Sequence, residues 1–124
     1  MANGFDHAAW ERWCEDWKGV NFDAYPNFKK WQNAQDDEER SRELNKVIDQ
    51  AEAAGDIKMV RAVYRHAIYG SSTKKRALHL TLEHARKTKD GLLTRDVYQH
   101  SDDTGGSEVA LAAYQEITGM PLAA

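Results

Sequence analysis

The 124-residue chain carries seventeen Lys/Arg against twenty Asp/Glu, and a net charge of −3 excludes a protein that binds polyanions by bulk charge. Its single cysteine, Cys14, excludes an intramolecular disulfide and agrees with a reducing compartment. No stretch approaches the roughly twenty apolar residues that a membrane helix needs, and no N-terminal run resembles a signal peptide, so a soluble cytoplasmic protein is expected.

Helical spacing dominates from the start. In "FDHAAWERWCEDW", Trp10, Trp13, Cys14 and Trp17 fall at i, i+3, i+4 and i+7, with Glu11, Arg12, Glu15 and Asp16 opposite. Asp6 suits an N-cap and Gly19 a stop. "VNFDAYPNFKKW" reads as a connector, because Pro26 disfavours helix at Tyr25, with a short helical turn beginning near Phe28 and Trp31. The acidic run "DDEER" opens a helix that Gly55 ends, with Leu44, Val47, Ile48 and Ala51 on its apolar face.

Asp56 then caps a helix expected to run to Gly70, burying Ile57, Val60, Val63, Tyr64, Ala67 and Ile68. Ser71 or Ser72 opens the next helix, over "STKKRALHLTLEHARKTKD", which Gly91 is expected to end. "LLTRDVYQH" reads as a short helix capped by Thr94, "SDDTGG" as a loop, and "SEVALAAYQEITG" as a last helix capped by Ser107. No period-2 strand is visible. The expectation is an all-α, compact single-domain bundle of about five or six short helices over residues 1–124. Its parts are a Trp-rich helix and connector (5–35), central helices (36–91) and a C-terminal helical segment (92–119).

Charge is segregated along this plan. Residues 1–56 hold seven Lys/Arg against thirteen Asp/Glu, residues 57–96 ten against three, and residues 97–124 none against four. Lys58, Arg61 and Arg65 flank the apolar stripe of one central helix. Lys75, Arg76, His79, Arg86 and Lys87 share much of the outer arc of the next, opposite Leu78, Leu82 and Ala85 and interrupted by Glu83, and Lys74 is a further candidate phosphate contact. Two basic faces in succession could meet a phosphate backbone, where Lys and Arg gain affinity by releasing counterions. The same pattern also serves as the solvated side of an amphipathic helix. Acids at "DDEER" and "SDD" stabilise helix starts or dock a basic partner.

Four tryptophans within the first 31 residues offer either core or contact surface. Phe22, Tyr25, Phe28 and Trp31, placed in the connector, are candidate interface anchors, with Asp36 and Asp37 beside them. No metal is expected, since His79 and His84 are five apart and His66 and His100 lack partners at ligand spacing. No cofactor loop or nucleophile motif is present, and Cys14 lies among acids that disfavour a thiolate, so no enzyme is expected.

Two patches, "WERWCEDWKGVNF" (residues 10–22) and "VYRHAIYG" (residues 63–70), resemble the small helical branch of the antitermination Q proteins of lambdoid phages. The resemblance implies a phage origin and contact with nucleic acid. That family continues into a helix-turn-helix after the second patch, whereas "STKKRALHLTLEHARKTKDG" reads as one unbroken helix. The leading expectation is a regulatory protein that binds nucleic acid, or a nucleic-acid-bound host complex, and acts by occupancy in a bacterial cytoplasm. The alternatives are a protein-binding inhibitor of a host enzyme or defence complex, similar in style to anti-CRISPR proteins, and a structural homo-oligomer.

Overall fold

The computed structural model describes residues 6–101 and 104–120, the side chain of residue 104 excepted. Among them lie seven α-helices and one 3₁₀ turn, and no strand. The helices are α1 (His7–Asp16), α2 (Pro26–Gln32), α3 (Asp37–Ala54), α4 (Ile57–His66), α5 (Ser72–Thr88), α6 (Gly91–Gln99) and α7 (Thr104–Thr118); the 3₁₀ turn is Phe22–Ala24.

Most helix starts follow from side chains that accept a free backbone N–H. Asp6 accepts from Ala9, Asp36 from Glu39, Asp56 from Met59 and Ser71 from Lys74, at 2.8 to 3.2 Å. Gly55 closes α3 in the left-handed region at φ 70°, where only glycine is unstrained, and Asp56 opens α4 one residue later.

Several boundaries differ from expectation. Pro26 leaves Tyr25 non-helical, as expected, but itself occupies the first turn of α2, where its missing N–H would have had no partner. The expected connector is therefore partly helical, which supplies the additional helix. Helix α4 stops at His66, because Ala67 turns extended and buried instead of continuing to Gly70. Helix α5 ends at Thr88, with Lys89 itself left-handed at φ 56°, so Gly91 begins α6 rather than ending α5.

Asp90, not Thr94, caps α6 through Leu93 N–H, and Thr94 is buried with its hydroxyl donating to the Gly91 carbonyl. A Cβ at Gly91 would sit 2.6 Å from Thr118 Cγ2, so this glycine permits the start of α6 to meet the end of α7. Helix α7 begins at Thr104, three residues before the expected cap Ser107.

The main core joins α2, α3, α4, α5 and α7 around Phe28, Leu44, Val47, Ile48, Met59, Val63, Tyr64 and Leu82. Each such side chain, fully removed from water, contributes about 1.5–3 kcal/mol. A second, smaller cluster gathers Trp13, Ala85 and Leu93, with Trp10, Cys14, Trp17, Leu92 and Ile117 packed against it. It fastens α1 to the seam of α5, α6 and α7 and sets the position of the groove described next. Among the described residues no helix is long and apolar enough to cross a membrane.

Candidate functional site

The basic residues singled out in the sequence do not form one outward face. Arg61 is 7% exposed and Lys74 5%, so the expectation of both as outward phosphate contacts is corrected. The cause is specific pairing. Arg61 reaches α6, donating from Nε to Asp96 Oδ2 at 2.6 Å and from Nη2 to Asp96 Oδ1 at 3.1 Å. Lys74 turns back across α4, donating to the Tyr64 carbonyl at 2.9 Å with its ammonium 4.4 Å from the Tyr64 ring centre.

Most of the other cations are paired within the fold. Arg65 donates to Asp96 at 2.6 Å, Arg76 to Asp49 at 2.6 Å, and Arg86 to Glu116 at 2.6 Å. His79 lies 3.1 Å from Glu83 one turn on, and Lys58 donates to the Asp16 carbonyl at the end of α1. Lys75 and Lys87 are exposed, and no ion pair joins either of them to another described residue. On α5, Arg76 and Arg86 are thus neutralised by α3 and α7, while Lys75 and Lys87 stay exposed. Surface pairs of this kind contribute little stability, but they lower the charge offered to a polyanion.

The expected aromatic anchors divide as well. Tyr25 and Phe28 are 6% and 4% exposed, because α2 packs its apolar side against α3 and α4; as surface anchors they are corrected. Trp31 is half-buried and Phe22 is 38% exposed. Asp36 and Asp37 serve the start of α3, the first as N-cap and the second paired with Arg40 at 2.9 Å. Asn27 donates to Glu43 at 2.9 Å, and that bond, with help from Lys46, holds the Glu43 carboxyl below its usual range against the opposing effect of burial. Of the acidic "SDD" stretch, Asp102 and Asp103 lie outside the described residues.

What the fold does bring together is a groove of about 510 Å³ between α1, the segment after it, α4 and α6. That volume is within the range of small-ligand sites, roughly 300–1,000 Å³. One wall is aromatic. Trp10, Trp13 and Trp17 stack in series with ring centres 5.3 and 5.0 Å apart, and Phe22 stands beyond them. The Arg61 guanidinium lies 5.2 Å from the Trp13 ring and 5.4 Å from Trp17, and Arg95 lies 5.3 Å from Trp10. Trp13 is pinned from below by its Nε1–H, which donates to Asp90 at 3.0 Å.

The rest of the lining is polar: Arg61, Arg65, Asp96, Gln99 and His100, with Lys18 and His66. A single carboxylate, Asp96, receives both guanidinium groups, so the pair of arginines leaves one positive charge uncompensated. Arg61 uses two donors on Asp96, whereas Arg65 uses one and keeps a side chain 33% exposed. His66 is held below the ordinary histidine range, first by burial of its ring and then by the Arg65 charge beside it. Its ring makes edge contacts with Trp31, Phe28 and Phe22 at 5.3, 5.6 and 6.4 Å.

Asp96, His66, Gln99 and His100 were not legible as site residues. Arg61 and Arg65, spaced i, i+4 on one helix, and Asp96 and His100, spaced alike on another, were the available signal. Among the described residues no three His, Cys, Asp or Glu side chains gather as metal ligands. Neither protein-family models, nor curated proteins, nor solved structures yield a match to this chain.

Proposed function

We propose that this chain is a small non-catalytic protein that binds nucleic acid, or a nucleic-acid-bound complex, and acts by occupying it. The observation that supports this reading is the groove, whose lining holds Lys18, Arg61 and Arg65 with one carboxylate, Asp96, and with Trp10, Trp17 and Phe22. Cations draw a phosphate backbone by counterion release, and aromatic faces stack bases of any identity. The contact surface is centred on this groove, with Lys75 and Lys87 as outlying phosphate contacts, rather than along the whole of α5. The resemblance of residues 10–22 and 63–70 to antitermination proteins points the same way.

Fluorescence anisotropy of labelled single-stranded and duplex oligonucleotides tests it. Binding is expected at low ionic strength and weakens steeply as salt rises. Absence of binding to either form at low salt would overturn the reading.

A second reading is supported by the paired cations of α5 and the exposed acids that open α3: a protein-docking inhibitor that recognises a host enzyme or defence complex. It predicts capture of a partner from bacterial lysate that survives nuclease treatment and the K75E/K87E double substitution. Loss of the captured partner on nuclease treatment rejects it.

A further inference from the structure

We infer that the groove seats one unpaired nucleotide of a single-stranded nucleic acid, with its phosphate at Arg65 and its base against Trp17 and Phe22. This rests on the nucleic-acid reading above and specifies which form of nucleic acid is taken, and where.

Charge comes first. Asp96 is shared by two guanidinium groups, and Arg65 keeps donors that no described residue accepts. A phosphate oxygen is the acceptor whose charge and geometry match a guanidinium fork left half-used. Lys18, in the groove lining, pairs among the described residues with exposed Glu15 at 2.8 Å, a contact that solvent screens and a phosphate can displace.

Shape and polarity specify the rest. Trp17 and Phe22 both line the groove and Phe22 is 38% exposed, so a planar group entering from solvent meets an aromatic surface. Gln99 and His66 line the same groove and offer donors and acceptors to a base edge. A base held in a duplex is stacked and paired and cannot enter a recess of about 510 Å³ walled by four helical segments. Of the basic arc of α5, Arg76, His79 and Arg86 are paired within the fold, so Lys75 and Lys87 are what it offers a duplex backbone.

The test uses the full chain with a fluorescent oligothymidylate, its duplex with oligoadenylate, free thymidine monophosphate and an oligoglutamate peptide, reading both anisotropy and tryptophan emission. The strand is expected to bind and quench tryptophan emission, with the duplex and the free nucleotide roughly tenfold weaker or more. Arg65→Gln and Phe22→Ala each weaken strand binding roughly fivefold to a hundredfold, the range of a lost stack or phosphate contact. K75E/K87E changes it less than either. Phe22 is a surface residue, so its variant remains informative if Arg65→Gln disturbs folding.

If K75E/K87E abolishes strand binding while Phe22→Ala and Arg65→Gln leave it intact, the groove assignment is overturned and the nucleic-acid reading stands. Equal or tighter binding of the duplex, or of the free nucleotide, overturns the single-strand assignment. Quenching by oligoglutamate with none by the strand overturns both.

Discussion

Arg61 on α4 and Asp96 on α6 form a two-point ion pair whose side chains are only 9% and 4% exposed. A pair this deep gains little over two well-packed apolar residues, yet removing one partner strands a buried charge. Asp96→Ala is therefore expected to destabilise the fold by about 3–5 kcal/mol, because Arg61 and Arg65 both lose the carboxylate they share. Urea denaturation followed by circular dichroism measures it. Lys75→Ala, on the exposed side of α5, is the comparison and should stay within about 0.5 kcal/mol of the parent.

Trp13 carries the attachment of α1. Its ring is stacked on Trp10 and Trp17, covered by Arg61, and tied through Nε1 to Asp90, the residue that also caps α6. Trp13→Ala is expected to cost about 3–5 kcal/mol, as for other large aromatics removed from a core. Trp13→Phe keeps most of the stack but leaves an Asp90 oxygen without its donor, at about 1 kcal/mol. Near-ultraviolet circular dichroism should lose the coupled tryptophan signal in the first variant and keep most of it in the second.

Helix class and several helix ends were legible because they depend on neighbours in sequence. Asp6, Gly55, Asp56 and Ser71 act within four residues of themselves, and the structure uses each as expected. The site was less legible because its partners are remote. Nothing near Arg61 announces Asp96, 35 residues later, and a helical wheel places Arg61 and Lys74 on a polar edge without saying that another helix covers it. Pro26 acted on Tyr25 as expected, a local effect, whereas its own place in the first turn of α2 depends on the helix that follows it. The Trp stripe carried both meanings at once, since Trp13 is core while Trp10 and Trp17 also wall the groove.

Tyr25 sets an alkaline limit on the fold. Burial, followed by the hydrogen bond from its hydroxyl to Asp56 at 2.8 Å and that carboxylate's charge, pushes its pKa up to about 12. The unfolded chain releases this proton at its ordinary value near 10, before the folded protein does. Between those values the unfolded state holds fewer protons, so stability falls as pH rises from about 10 towards 12. Tyr25→Phe removes that dependence but leaves an Asp56 oxygen without its donor. Thermal melts across this window should show a shallower decline for the variant than for the parent, from a lower starting point.

His66 sets the opposite limit. Its ring packs edge-on against Phe22, Phe28 and Trp31, and desolvation together with Arg65 holds its pKa below the ordinary histidine value of 6.5. Asp23 and Lys29 face it across the recess on one side, and Lys18, Asp96 and His100 line the groove on the other. Below pH 6.5 the unfolded chain binds this proton more readily than the folded one, so stability present at neutral pH is lost as pH falls through the folded pKa. His66→Gln should flatten the decline in melting temperature between neutral and mildly acidic pH. Protonation also adds a positive charge to the groove edge. A single strand is therefore expected to bind the parent more tightly as pH falls, with a smaller gain for His66→Gln, measured by anisotropy at fixed ionic strength.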